Sequence, residues 1–142
     1  MPNWCVNKVT LSGHEVCTEI FDYISNEQGY FLSKYVPSED NNTVWGTKWD
    51  VRCEDIIASD NNGTVYLEFH TAWCPPIVFF ESLVNKYKGL KVELQYAEPG
   101  MCFIGEWTSN NHDENDCYEW YMDDTSVPAP LKEAFAEFYE TN

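Results

Sequence analysis

Three stretches of the chain alternate apolar and polar residues with a period of two, and helical repeats fall between them. That ordered mixture limits the fold more than any other feature. Trp4 to Leu11 puts Val9 and Leu11 on one face and Trp4, Val6, Lys8 and Thr10 on the other. Val65, Leu67 and Phe69 alternate with Tyr66, Glu68 and His70; Leu90, Val92, Leu94 and Tyr96 alternate with Lys91, Glu93 and Gln95. Each is the pattern of a strand with one buried face. Glu15 to Asn26 lines Val16, Ile20, Phe21 and Ile24 along one helical stripe, and Pro75 to Tyr87 does so with Phe79, Phe80, Leu83, Val84 and Tyr87. Pro75-Pro76 suits a helix start and Gly89 a stop.

A further strand is expected within Trp45 to Ile57, joined to the next by the turn Asn61-Asn62-Gly63. The order is then strand, helix, strand, strand, helix, strand. That order builds an α+β split sandwich, an antiparallel sheet with two helices on one face. Beyond it, Met101 to Trp107 reads as an added antiparallel strand turning at Pro99-Gly100, and Ser109 to Asp116 as a polar loop. Tyr118 to Met122 reads as a short aromatic strand, so the addition is a single antiparallel strand or a hairpin. Pro130 to Tyr139 reads as a C-terminal helix with Leu131, Ala134, Phe135 and Phe138 inward. At 142 residues, with no long linker, a single domain is expected.

The start of the chain lacks the basic and apolar regions of a signal peptide, so a cytoplasmic protein is expected. Its longest apolar run, Ile77 to Phe80, is far below membrane-spanning length, and no membrane association is expected. Cys5, Cys17, Cys53, Cys74, Cys102 and Cys117 include no CxxC pair. They are expected to be reduced thiols, most of them small buried hydrophobes, and no cofactor or metal is expected. His112, Asp113, Glu114, Asp116 and Cys117 form a loose metal-ligand set that reads better as a solvated loop. His14, His70 and His112 are scattered, and neither a phosphate loop nor a serine elbow occurs.

Four strings then read together: Met1-Pro2-Asn3-Trp4-Cys5-Val6-Asn7, Trp45-Gly46-Thr47-Lys48-Trp49-Asp50, Thr71-Ala72-Trp73-Cys74-Pro75-Pro76 and Tyr96-Ala97-Glu98-Pro99-Gly100. In this order they resemble the ferredoxin-like domain of plasmid YubB-type proteins and related phage proteins, over residues 1–108. Cys74 stands where the family often has serine. The resemblance implies a ferredoxin-like βαββαβ core and a mobile-element or phage origin. It brings no activity, and the name carries no iron–sulfur cluster. Residues 109–142 fall outside it as an acidic extension.

Two indoles in Trp45 to Asp50 flank a glycine, a hydroxyl, an ammonium and a carboxylate. One reading is a ligand pocket, in which Thr47, Lys48 and Asp50 recognise polar groups while Trp45, Trp49 and Trp73 stack. The other is a tryptophan-pinned strand entry, with Lys48 paired to Asp50 or Glu98. Helix amides after Thr71 to Pro76 offer an anion site or a simple proline-started helix. The sheet face bearing Trp4, Lys8, Tyr66, His70, Lys91 and Gln95 is like that of RNA-recognition modules, unless the added strands or the last helix cover it.

Charge narrows the choice. The whole chain carries −16, with 24 acidic groups against 8 basic ones. Such a field opposes both polynucleotides and anionic membranes. Residues 93–142 hold twelve acids and one base, Lys132. The density serves solubility, or it places carboxylates where a cationic partner expects phosphates. Trp107, Tyr118, Trp120 and Tyr121 interleave with these acids as core or as interface anchors. The leading expectation is a non-enzymatic phage or plasmid protein that binds a basic host protein handling nucleic acid. It would act as an inhibitor or nucleic-acid mimic, against a defence system for example. Glu106, Asp113, Glu114, Asp116, Glu119, Trp120, Asp123 and Asp124 would form its partner surface. An RNA- or nucleotide-binding module and an enzyme with its pocket at Trp45 to Asp50 are the alternatives. The oligomeric state is left open.

Overall fold

β1 (Trp4–Ser12), fully buried on one face and partly covered on the other, lies inside a six-stranded antiparallel sheet. The computed structural model describes residues 3–37, 44–109 and 116–139. The sheet also contains β2 (Ile57–Asn61), β3 (Thr64–Ala72), β4 (Lys91–Glu98), β5 (Phe103–Thr108) and β6 (Asp116–Tyr121). Spatial order is β2-β3-β1-β4-β5-β6. Its first four strands have the order of a ferredoxin-like βαββαβ unit, and β5–β6 is an added hairpin on the β4 edge. Helices α1 (Val16–Asn26), α2 (Leu32–Tyr35), α3 (Ile77–Lys86) and α4 (Ala129–Ala134) complete the α+β fold.

Val9, Leu11, Leu67, Phe69, Val92 and Leu94 form the floor on which α1 and α3 set Val16, Ile20, Phe79, Phe80 and Leu83. Phe31, just before α2, fills the middle of this core, edge-on to Phe69 and Phe79 at 6.0 and 5.1 Å. Asn7 is fully buried in the same face. Its Nδ2 donates to Thr71 Oγ1 at 2.9 Å and to the Phe69 and Cys5 carbonyls at 3.2 Å, which makes the burial tolerable.

The opposite face is covered at one end. Val6, Ala97 and Ile104 pack beneath Leu131 and Phe135 of the C-terminal segment, with Met122 and Val127. Tyr66, Glu68, His70, Gln95 and Glu106 lie beyond that cover on the same face, by strand alternation from the paired register.

The second strand lies at Ile57–Asn61, and its expected position within Trp45 to Ile57 is corrected. Residues 45–56 spend their side chains and amides on loop contacts instead, ending in a 3-10 turn at Cys53–Asp55. The turn after β2 is as expected: Asn62 and Gly63 both have positive φ, 54° and 90°. Helix α2 had no sequence signal, and the C-terminal helix stops at Ala134 and tightens into a 3-10 turn at Ala136–Phe138. All six cysteines are free; Cys5, Cys17 and Cys53 are buried, whereas Cys74, Cys102 and Cys117 are exposed. Half, not most, are therefore core residues.

Candidate protein-binding surface

Residues 45–50 are tied down from both ends. Trp45 is buried and donates Nε1–H to the Val36 carbonyl at 2.7 Å. Buried Thr47 donates its hydroxyl to the Ala72 carbonyl at 2.8 Å. The Asp50 carboxylate accepts the amides of Leu32, Ser33 and Val51 at 2.8, 3.1 and 2.8 Å, and so caps α2 from eighteen positions away in sequence. Glu98, fully buried, accepts the amides of Gly100 and Met101 at 2.7 and 2.8 Å. The Phe79 amide in the first turn of α3 donates to the Trp45 carbonyl at 3.2 Å. A protein carbonyl thus takes one of the amides considered for an anion.

Between those anchors Lys48 and Trp49 stand outward. Trp49 is 43% exposed, and its ring lies 6.2 Å from Trp4 and 5.5 Å from Trp73. The Lys48 ammonium lies over the Trp49 and Trp73 rings, 5.9 and 5.4 Å from their centroids. Trp73 has a φ of +64°, a costly conformation for a bulky residue. Its amide donates to the Asn3 carbonyl at 2.8 Å, which holds the strained residue in place. Of the expected pocket set, Trp49, Trp73 and Lys48 therefore cluster at the surface with Trp4. Trp45, Thr47 and Asp50 fasten the loop beneath them.

Two depressions flank this cluster. One, of 710 Å³, is bordered by Trp4, Trp49, Tyr30, Arg52, Asp55 and Glu68 among others. The other, of 620 Å³, lies between the β3–α3 connection and β6, where Trp73, Met101, Tyr121 and Trp120 meet Glu119 and Asp124. Met101 and Tyr121 are largely exposed there. This groove joins residues expected in two separate sites: Trp73 from the ligand pocket, and Glu119, Trp120 and Asp124 from the partner surface.

The remaining acids spread out. In the β5–β6 register Glu119 faces Gly105 while Glu106 faces Tyr118, so the two carboxylates leave opposite faces of the sheet. Asp123 is exposed in the turn after β6. The Ser126 hydroxyl and amide donate to Asp124 Oδ1 at 2.7 and 2.8 Å and hold that carboxyl below the ordinary carboxylate range. Asp113 and Glu114 lie outside the described residues, and Asp116 is described only by its backbone place in β6. Trp107 is buried and Trp120 half-buried against the C-terminal segment, whereas Tyr118 and Tyr121 are exposed. Sequence reading passed over Tyr30, Arg52, Met101 and Asp55. Arg52 had a signal, as the sole arginine of the chain, two residues from Asp50.

Among the described residues no three His, Cys, Asp or Glu side chains converge as metal ligands, and no helix is long and apolar enough to cross a membrane. The fold with its hairpin defines a ferredoxin-like α+β domain. More narrowly, the chain belongs to the family of ferredoxin-like domains in Api92-like proteins, whose model matches residues 45–141. The match takes in the acidic C-terminal segment and begins after β1 and α1. No curated protein and no solved structure matches the chain.

Proposed function

We propose that this is a small acidic binding protein, not an enzyme, that occupies a basic surface of a host protein handling nucleic acid and thereby inhibits it. The observation that carries the reading is the groove at β6, where Glu119 and Asp124 share one depression with the exposed rings of Trp73 and Tyr121. Carboxylates beside exposed aromatics suit arginine and lysine side chains, which pair with the acids and lie on the rings. The net charge of −16 adds long-range steering toward a cationic surface. Glu106 leaves the opposite face of the sheet from Glu119 and does not line this groove, so the proposed surface rests on Glu119 and Asp124. The resemblance to plasmid YubB-type and phage proteins supports a mobile-element origin, for which inhibition of a host defence protein is a fitting role.

A pull-down from bacterial lysate tests this, with bound proteins identified at rising salt. A cationic nucleic-acid-handling protein should be retained at about 0.1 M salt and released toward 1 M, as the screening length falls from about 10 to about 3 Å. The triple variant Glu119→Gln, Asp123→Asn, Asp124→Asn should not retain it. Retention unchanged in that variant, or recovery of no cationic protein, would overturn the proposal.

A further inference from the structure

We infer that the cleft between Trp4 and Trp49 is a preorganised receptor for an arginine side chain of the protein partner. This deepens the reading above and rests on it for the partner being a protein. The cleft has aromatic walls, with Trp4, Tyr30 and Trp49 each more than two-fifths exposed at 43%, 46% and 43%. Exposed indole surface on a loop is ordinarily withdrawn from water. Here Thr47 and Asp50 pin the loop on either side of Trp49, so its outward ring is held by construction.

The cleft is also acidic. Glu68 stands directly opposite Lys8 in the β1–β3 register, the place for a cross-strand ion pair. Yet the Lys8 ammonium turns away to donate to the Ala134 carbonyl and lies 4.9 Å from the Phe135 ring centroid. Among the described residues neither Glu68 nor Asp55 has a cation or hydrogen-bond donor on its carboxylate. Carboxylates beside π-faces select a planar cation. A guanidinium stacks on a ring and meets a carboxylate edge-on, whereas an ammonium acts as a point charge. The rim already shows the fit: Arg52 lies 5.4 Å from the Tyr30 centroid while its Nη1 pairs with Glu54 at 3.4 Å.

The test is a titration of the full chain with capped tetra-arginine and tetra-lysine peptides, followed by tryptophan emission. Tetra-arginine should perturb emission saturably and bind more tightly than tetra-lysine. Glu68→Gln, an isosteric change, and Trp49→Leu should each weaken it by about threefold to thirtyfold. Circular dichroism verifies that both variants fold. The groove variant Glu119→Gln, Asp124→Asn should keep the emission response, and a wild-type chain that gives this response yet retains no cationic protein from lysate marks failure of the broader reading alone. Equal affinity for the two peptides, affinity unchanged in both cleft variants, or stronger binding of adenosine than of tetra-arginine would overturn the inference.

Discussion

The phenol of Tyr96 crosses above Gly105 and donates to Glu119 Oε1 at 2.9 Å, so a fully buried ring from β4 holds a carboxylate on the edge strand β6. Burial and the adjacent Cys117 and Glu119 groups push the Tyr96 hydroxyl well above its ordinary range, so it stays a donor. The crossing requires glycine at position 105, because a Cβ there would overlap the Tyr96 ring and come within 2.8 Å of the Tyr118 carbonyl. Gly105→Ala should therefore cost about 1–3 kcal/mol in urea unfolding, the usual range for overpacking. Wild-type stability in this variant would show that Tyr96 does not thread the hairpin.

Thiol reactivity should divide the six cysteines evenly. Cys74, Cys102 and Cys117 are exposed and should react with a chromogenic disulfide in the native protein; Cys5, Cys17 and Cys53 should react only on unfolding. Burial raises the pKa of all three core thiols, which lowers their thiolate fraction at any given pH. Partial burial and then the Glu119 and Glu98 carboxylates also raise that of Cys74. A raised pKa means slower reaction at neutral pH and a rise of about tenfold per pH unit below it. Glu119→Gln should speed labelling of Cys74 near pH 7.5, as followed by mass spectrometry. More than three fast thiols in the native protein would contradict the packing described.

Much of this fold was legible because its strands have one buried face. β1, β3 and β4 announce themselves by alternation, and Asn61-Asn62-Gly63 by the positive φ its turn requires. β2 did not: Ile57-Ala58-Ser59-Asp60-Asn61 is a short edge strand with little buried surface and hence no alternation to read. α2 was invisible because four residues have no period, and its cap, Asp50, is distant in sequence. The candidate surface was half legible. Trp49, Trp73, Glu119 and Asp124 stood out by type, but their sorting into two depressions depends on the β3–α3 connection approaching β6.

Asp50 offers a direct check on how Trp49 is held. Its carboxylate accepts three amides, two of them at the start of α2. Asp50→Ala should cost about 1–2 kcal/mol, as the loss of a strong cap does. It should also loosen Trp49 and weaken tetra-arginine binding. Asp50→Asn keeps an accepting oxygen and should recover part of both. Chemical denaturation gives the stability, and fluorescence anisotropy the tryptophan mobility. Full stability in the alanine variant would rule out the capping role.

Lys8 ties the C-terminal helix to the sheet. Its stem rises from the otherwise open face, and its ammonium reaches the Ala134 carbonyl at the C-terminal end of α4, over the Phe135 ring. A cation suits that end of a helix, where carbonyls lack intrahelical partners. α4 has only six residues, so its helicity depends on docking rather than on propensity. Lys8→Met keeps most of the stem and removes the charge. It should cost about 1–2 kcal/mol, with the loss concentrated in α4. Hydrogen exchange should show faster opening around Leu131 and Phe135, while β1, β3 and β4 keep their protection. If the amides of 129–138 exchange as in the wild type, the hydrophobic contacts of Leu131 and Phe135 with Val6, Ala97 and Ile104 suffice to dock the helix, and the ammonium is dispensable.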